Sequence, residues 1–134
     1  GELVQPRIIE KIGEENTKIV FKKNISLNDD KNWKRIEKSL LGVVEASNGT
    51  ANNIYDRNIR IAGKTGTAQV KSIIETEYEL LREDKSLRDH ALFVGYGPVE
   101  EPKLVVVAII ENGESGSAVA APLVRKAINL YSKK

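Results

Sequence analysis

Cysteine and methionine are both absent from the 134 residues. Without cysteine there is no disulfide framework and no thiolate metal site, although the compartment stays open. Without any methionine, position 1 included, we expect the chain to be a piece of a longer protein. Aromatic residues make up only 5% and histidine occurs once. Charge of one sign is also lacking: 21 basic residues face 19 acidic ones, a net charge of +2. No Lys/Arg block interleaved with aromatics is present, so a dedicated nucleic-acid binder is disfavoured. No apolar run is long enough to cross a bilayer and no signal peptide is visible. Either could belong to residues outside this sequence.

What is present is a globular composition, 40% hydrophobic and 30% charged. A chain of this length can bury roughly two thirds of its unfolded surface, so it suits one domain or part of a larger one. Arg7–Ile12 and Thr17–Lys23 are β-branched runs around Gly13-Glu14-Glu15-Asn16, which reads as a hairpin-like arm. Asn28-Asp29-Asp30 marks a helix start. Trp33, Ile36, Leu40, Leu41 and Val44 then fall on one helical face. The helix should stop near Ser47-Asn48-Gly49, with Gly49 left-handed. Asn52–Arg57 reads as a polar loop, and Arg60–Val70 as a strand. Within the charged stretch 71–89, Glu75–Arg82 suits a short surface helix.

His90–Tyr96 should be a strand, with Ala91, Phe93 and Gly95 on one face and Leu92, Val94 and Tyr96 on the other. Pro98–Pro102 is a turn. Leu104–Ile110 is a continuous apolar run that fits a strand covered on both faces. Ala118–Tyr131 reads as a second helix, with Pro122 in its first turn and Leu123, Ala127, Leu130 and Tyr131 on a shared face. These elements predict an α+β fold with helices packed on an antiparallel sheet.

The residues with most chemistry are Lys64-Thr65-Gly66-Thr67. Strand alternation puts Lys64 and Gly66 on one side, and Thr65 and Thr67 on the other. Two hydroxyls two residues apart can donate to one carboxylate, and an ammonium nearby makes the place positive. Gly66 removes the side chain that would block a ligand lying along the strand. An edge strand here could pair with an extended peptide, and an outward amide could hold a developing oxyanion. An ordinary edge strand protected by a lysine explains the same residues structurally. A phosphate loop does not fit, because Asn58 stands where that motif needs glycine. His90 could be a base or metal ligand, but it opens a strand with no second histidine or cysteine, which favours a structural role. No metal site and no cofactor are expected. Glu111-Asn112-Gly113 reads as a turn.

Four blocks occur in order: Ala62-Gly63-Lys64-Thr65-Gly66-Thr67-Ala68-Gln69; Asp89-His90-Ala91-Leu92-Phe93-Val94-Gly95-Tyr96-Gly97-Pro98; Val107-Ala108-Ile109-Ile110-Glu111-Asn112-Gly113; and Ala120-Ala121-Pro122. Lys-Thr-Gly is a signature of penicillin-binding proteins and β-lactamases. With its context, the chain resembles the C-terminal part of the transpeptidase domain of a class B penicillin-binding protein of the elongation type. Leu92 stands where that family commonly has Trp, and the glycine-rich stretch before the last helix is thin.

The resemblance implies a serine-type peptidoglycan D,D-transpeptidase. It implies Lys64 and Thr67 as catalytic and Thr65, Gly66 and Thr67 as substrate-binding, with Thr65 and Thr67 holding the donor carboxylate and the Thr67 amide giving half of an oxyanion hole. Partners implied are the D-Ala-D-Ala stem peptide, β-lactams, the rest of the same chain and membrane proteins of the elongation complex. The implied parent is anchored in the cytoplasmic membrane with this domain on the outer side, and the fragment itself is soluble. No serine here is followed by lysine three residues on. Ser26-Leu27-Asn28 matches Ser-x-Asn in letters, but the family places that element much farther upstream of Lys-Thr-Gly. Residues 1–134 are therefore expected to lack both elements and to be inactive alone. A β-lactam sensor, or a serine β-lactamase or D,D-carboxypeptidase fragment, are the alternatives.

Overall fold

The computed structural model describes residues 1–17, 22–70 and 84–133. They form two compact units, Gly1–Ile36 and Glu37–Lys134. In the first, strand β1 (Glu2–Val4) pairs antiparallel with β4 (Lys22–Asn24), and β2 (Lys11–Ile12) with β3 (Glu15–Asn16). The arm is thus tighter than its β-branched runs imply. Only Gly13 and Glu14 separate β2 from β3, and Gly13 has φ 61°, as a two-residue hairpin of mirror-image type requires at its first position. Lys22–Asn24 goes to β1 rather than to the hairpin.

Helix α1 (Lys31–Glu45) begins where the polar cluster places it. Asp29 Oδ1 accepts from the Lys31 amide at 2.9 Å, satisfying one of the free donors of a helix start. Along its stripe Val44 is buried, Trp33, Leu40 and Leu41 are half-buried, and Ile36 is exposed. Gly49 does not adopt the left-handed conformation: Gly13 is the one described glycine with positive φ. Position 49 needs glycine for space, since a Cβ would lie 2.5 Å from the Gly42 and Val43 carbonyl oxygens. The polar loop after it contains a 3₁₀ turn, Asn52–Ile54, which drives Ile54 into the core.

The main sheet has the order β5 (Ala62–Ala68), β6 (His90–Gly97), β7 (Leu104–Ile110), all antiparallel. Helix α2 (Ala121–Ser132) follows a π-type turn, Gly116–Ala120. Ala91 and Phe93 face a core that also holds Val44, Ala51, Ile54, Ile61, Ala120, Ala121, Val124 and Ile128. The α+β architecture with helices on an antiparallel sheet is as expected.

Two sequence expectations fail here. Strand β7 is covered on one face only: Leu104, Val106, Ala108 and Ile110 pack toward the core, while Val105, Val107 and Ile109 are 60–67% exposed. Alternation of burial is what one packed face produces, however apolar the run. In α2 the buried stripe is Ala121, Val124, Arg125 and Ile128, while Leu123, Leu130 and Tyr131 are exposed. The wide turn before α2 sets its phase, and Arg125 disguises the stripe. Its guanidinium leaves the apolar layer by donating to Ile59 O and pairing with Asp56 at 2.7 Å. Glu75–Arg82 lies outside the described residues, as do the acidic side chains there.

Asp56 carries a pH consequence. The Asn58 amide, then Arg125, hold its carboxyl below the usual range. A carboxyl depressed on folding stabilises above its unfolded pKa, and that contribution is lost as pH falls through the folded value. In urea melts of the full-length protein, Asp56→Asn should therefore cost stability at neutral pH. The gap to the parent should close below the ordinary carboxylate range. A gap of constant size down to the lowest pH would contradict the assignment.

Candidate active site

Strand β5 enters its ladder under tight control. Arg60 Nε and Nη2 donate to the two Glu45 carboxylate oxygens at 2.6 and 3.0 Å, and Nη1 donates to Glu100 at 2.9 Å. This bidentate fork ties the end of α1, the start of β5 and the β6–β7 turn together. Its two carboxylates hold the Arg60 guanidinium still more firmly protonated. The β5–β6 register then runs unbroken from Ala62↔Tyr96 to Ala68↔His90. No bulge reorders the faces, so Lys64 lies on one side and Thr65 and Thr67 on the other.

Backbone direction follows from parity. The Lys103 amide donates to Gly97 O at the end of the β6–β7 ladder. Gly97 and the alternate residues Gly95, Phe93 and Ala91 therefore aim their backbone groups at β7, while Tyr96, Val94 and Leu92 aim at β5. Their partners Ala62, Lys64 and Gly66 complete that exchange. Thr65 and Thr67 are left pointing their N–H and C=O off the outer edge of β5, an edge strand among the described residues. Lys64 Nζ donates to Thr65 O at 2.8 Å. The ammonium thereby reaches the outer edge of β5, the border along which the Thr65 and Thr67 backbone units point outward. Lys64 and Thr67 are exposed; Thr65 and Gly66 are half-buried.

Sequence reading missed Thr50, whose hydroxyl lies 3.2 Å from that of Thr65. It comes from the turn after α1 and carries no local signal. His90 makes a contact that fits a structural role: its Nδ1 accepts from the Asn112 amide at 3.0 Å. Asn112 is left-handed at φ 54° and donates through Nδ2 to Ser86 O and Arg88 O, both at 2.9 Å. The turn reading of 111–113 holds, with this latch added. An open cleft lined by Pro98, Glu101, Lys103, Tyr131 and Ser132 contains none of the candidate residues. Among the described residues no group of three or more His, Cys, Asp or Glu is placed to hold a metal ion. No described helix is long and apolar enough to cross a membrane.

The family model of the penicillin binding protein transpeptidase domain matches residues 1–129. The chain belongs to this family. Among curated transpeptidase-domain relatives, the peptidoglycan D,D-transpeptidase MrdA of Haemophilus influenzae is 46% identical over 101 residues, 74% of this chain and 16% of that protein. MrdA of Acinetobacter baumannii is 37% identical over 92 residues, 68% of this chain and 13% of the relative. Among solved structures, Pseudomonas aeruginosa PBP2 in complex with WCK 5153 superposes with TM-score 0.77 at 35% identity, over 96% of this chain and 26% of that one. Helicobacter pylori PBP2 in complex with MreC gives TM-score 0.59 at 30% identity, over 77% of this chain and 18% of that one. The chain thus spans about a sixth of the length of its H. influenzae relative and about a quarter of the P. aeruginosa chain.

Proposed function

We propose that the chain is the C-terminal part of a peptidoglycan D,D-transpeptidase domain and forms one wall of its active site. The observation that supports this is the border of β5, where Lys64 Nζ donates to Thr65 O, Thr65 and Thr67 share one face and the register leaves the Thr67 amide pointing outward. An extended stem peptide would lie along that border by strand addition. Its terminal D-Ala carboxylate would take hydrogen bonds from Thr65 and Thr67 in the positive potential of Lys64, and Gly66 leaves room for the ligand backbone.

A serine supplied from elsewhere in the longer chain would attack the carbonyl carbon of the penultimate D-Ala. The C–N bond to the terminal D-Ala breaks, the proton of the serine passes to the departing amine, and an acyl-serine ester remains. An amine of a neighbouring stem then takes the acyl group and releases the serine. In each addition the carbonyl oxygen becomes an anion, which the Thr67 amide would stabilise. β-Lactams would acylate the same serine. The partners follow the relatives: a membrane partner of the MreC kind, as in the H. pylori complex, and a location for the parent on the outer side of the cytoplasmic membrane.

The test is Lys64→Ala in the full-length protein. Acylation by penicillin should slow by at least tenfold, about 1.4 kcal/mol. Parental kinetics would remove Lys64 from the site.

A further inference from the structure

Gly116 opens the π-type turn ahead of α2 and is buried. A Cβ at this position would collide with the Leu92 carbonyl oxygen and lie 2.9 Å from the Gly66 carbonyl oxygen. Both are backbone atoms, which cannot swing aside as the end of a side chain can. Gly66 and Leu92 are register partners whose backbone groups face each other, so Gly116 rests against that junction of β5 and β6. The turn is itself held in place. Asn53 Nδ2 donates to Ser117 O at 2.8 Å, and Ser115 Oγ accepts from the Ala118 amide at 3.2 Å.

The Gly66 carbonyl and the Thr67 N–H belong to one planar peptide unit and leave it on opposite sides. Whatever fixes the carbonyl therefore aims the amide. We infer that Gly116 is a positioning residue for acyl transfer: by packing without a side chain on the Gly66 carbonyl, it aims the Thr67 amide at the oxyanion beyond the sheet edge. The inference rests on the reading of Thr67 as an oxyanion donor. It assigns a chemical consequence to the turn before α2, a segment without any reacting group of its own.

Three variants of the full-length protein test it: Gly116→Ala, Asn53→Ala and Gly113→Ala. The first pushes on the Gly66 carbonyl. The second loosens the turn without adding volume, at an exposed residue that the fold does not need for packing. The third is a comparison for added volume beside the turn, because the three atoms nearest a Cβ on Gly113 are side-chain carbons of Ala91, Val119 and Ile110, at 3.0–3.1 Å, and not the Gly66 carbonyl oxygen. Two readouts are taken: penicillin acylation resolved into binding and chemical step, and the infrared stretch of the acyl-enzyme ester carbonyl.

Gly116→Ala should slow the chemical step roughly tenfold, part of the 10²–10³-fold that loss of a whole oxyanion donor costs, with binding nearly unchanged. The ester carbonyl should move to higher frequency as its hydrogen bond weakens. Asn53→Ala should shift the frequency the same way by less. Gly113→Ala should lower the melting temperature without moving the carbonyl. A parental carbonyl frequency in Asn53→Ala, or in Gly116→Ala where that variant folds, overturns the inference. So does an equal shift in Gly113→Ala. Thr67→Pro acylating at the parental rate would instead overturn the underlying reading of Thr67. A slow Thr67→Pro beside a normal Gly116→Ala removes only the role of Gly116.

Discussion

Thr67→Pro in the full-length protein should slow acylation by penicillin 10²–10³-fold, about 3 kcal/mol, while Thr67→Val should slow it far less. The two substitutions separate two functions of one residue. Proline removes the backbone N–H and the hydroxyl together. Valine keeps the amide, the β-branch and the volume, and removes the hydroxyl alone. Proline is tolerated on an edge strand when the lost N–H faces outward. Position 67 satisfies that condition, because the β5–β6 exchange runs through Ala62, Lys64 and Gly66. The valine variant should lose mainly affinity, by the ~1.5–3 kcal/mol of a hydrogen bond to a charged group. Stopped-flow acylation at several penicillin concentrations separates the two effects. Equal rates in the two variants would show that the amide is not the oxyanion donor.

The second large effect concerns stability. Phe93→Ala should cost about 3–5 kcal/mol. Phe93 is fully buried on the central strand, and glycines frame its ring: a Cβ on Gly63 would lie 2.6 Å from it and one on Gly95 3.0 Å. Gly63 and Gly95, held in strands, have no side chains to move into the void. Such a loss is a large part of the ~5–15 kcal/mol by which a typical domain is folded. Val94→Ala, one position along and 41% exposed, should cost well under 1 kcal/mol. Urea midpoints of the two variants in the full-length protein test this; similar midpoints would mean that the two faces of β6 are not distinct.

Local pattern made several of these features legible. The two-residue period of His90–Tyr96 places Ala91, Phe93 and Gly95 on the buried face, as found. The candidate site is legible in residue type and spacing, since a lysine and two threonines at alternate positions describe a strand border before any coordinates do. What escaped depends on distant contacts. Thr50 meets Thr65 across 15 residues of sequence, and Gly116 meets Gly66 only once the turn before α2 folds over the sheet. Arg125 hid the inward stripe of α2 because a charged residue reads as outward unless its carbonyl and carboxylate partners are known. Gly49 was misjudged for a related reason: glycine ends helices both by backbone freedom and by absence of bulk, and sequence does not distinguish them. Strand β7 misled in the opposite direction, its run of valines and isoleucines giving no sign of which side is packed.

Val94, Val105, Val107 and Ile109 stand well exposed, on the side of the sheet away from Phe93. Contiguous exposed apolar side chains of this kind mark a contact surface or a liability to aggregate. Prepared by itself, this stretch should sediment as larger species when concentrated, and a constant monomer mass would show the face to be harmless. Antibiotic-binding measurements on it belong in the longer polypeptide.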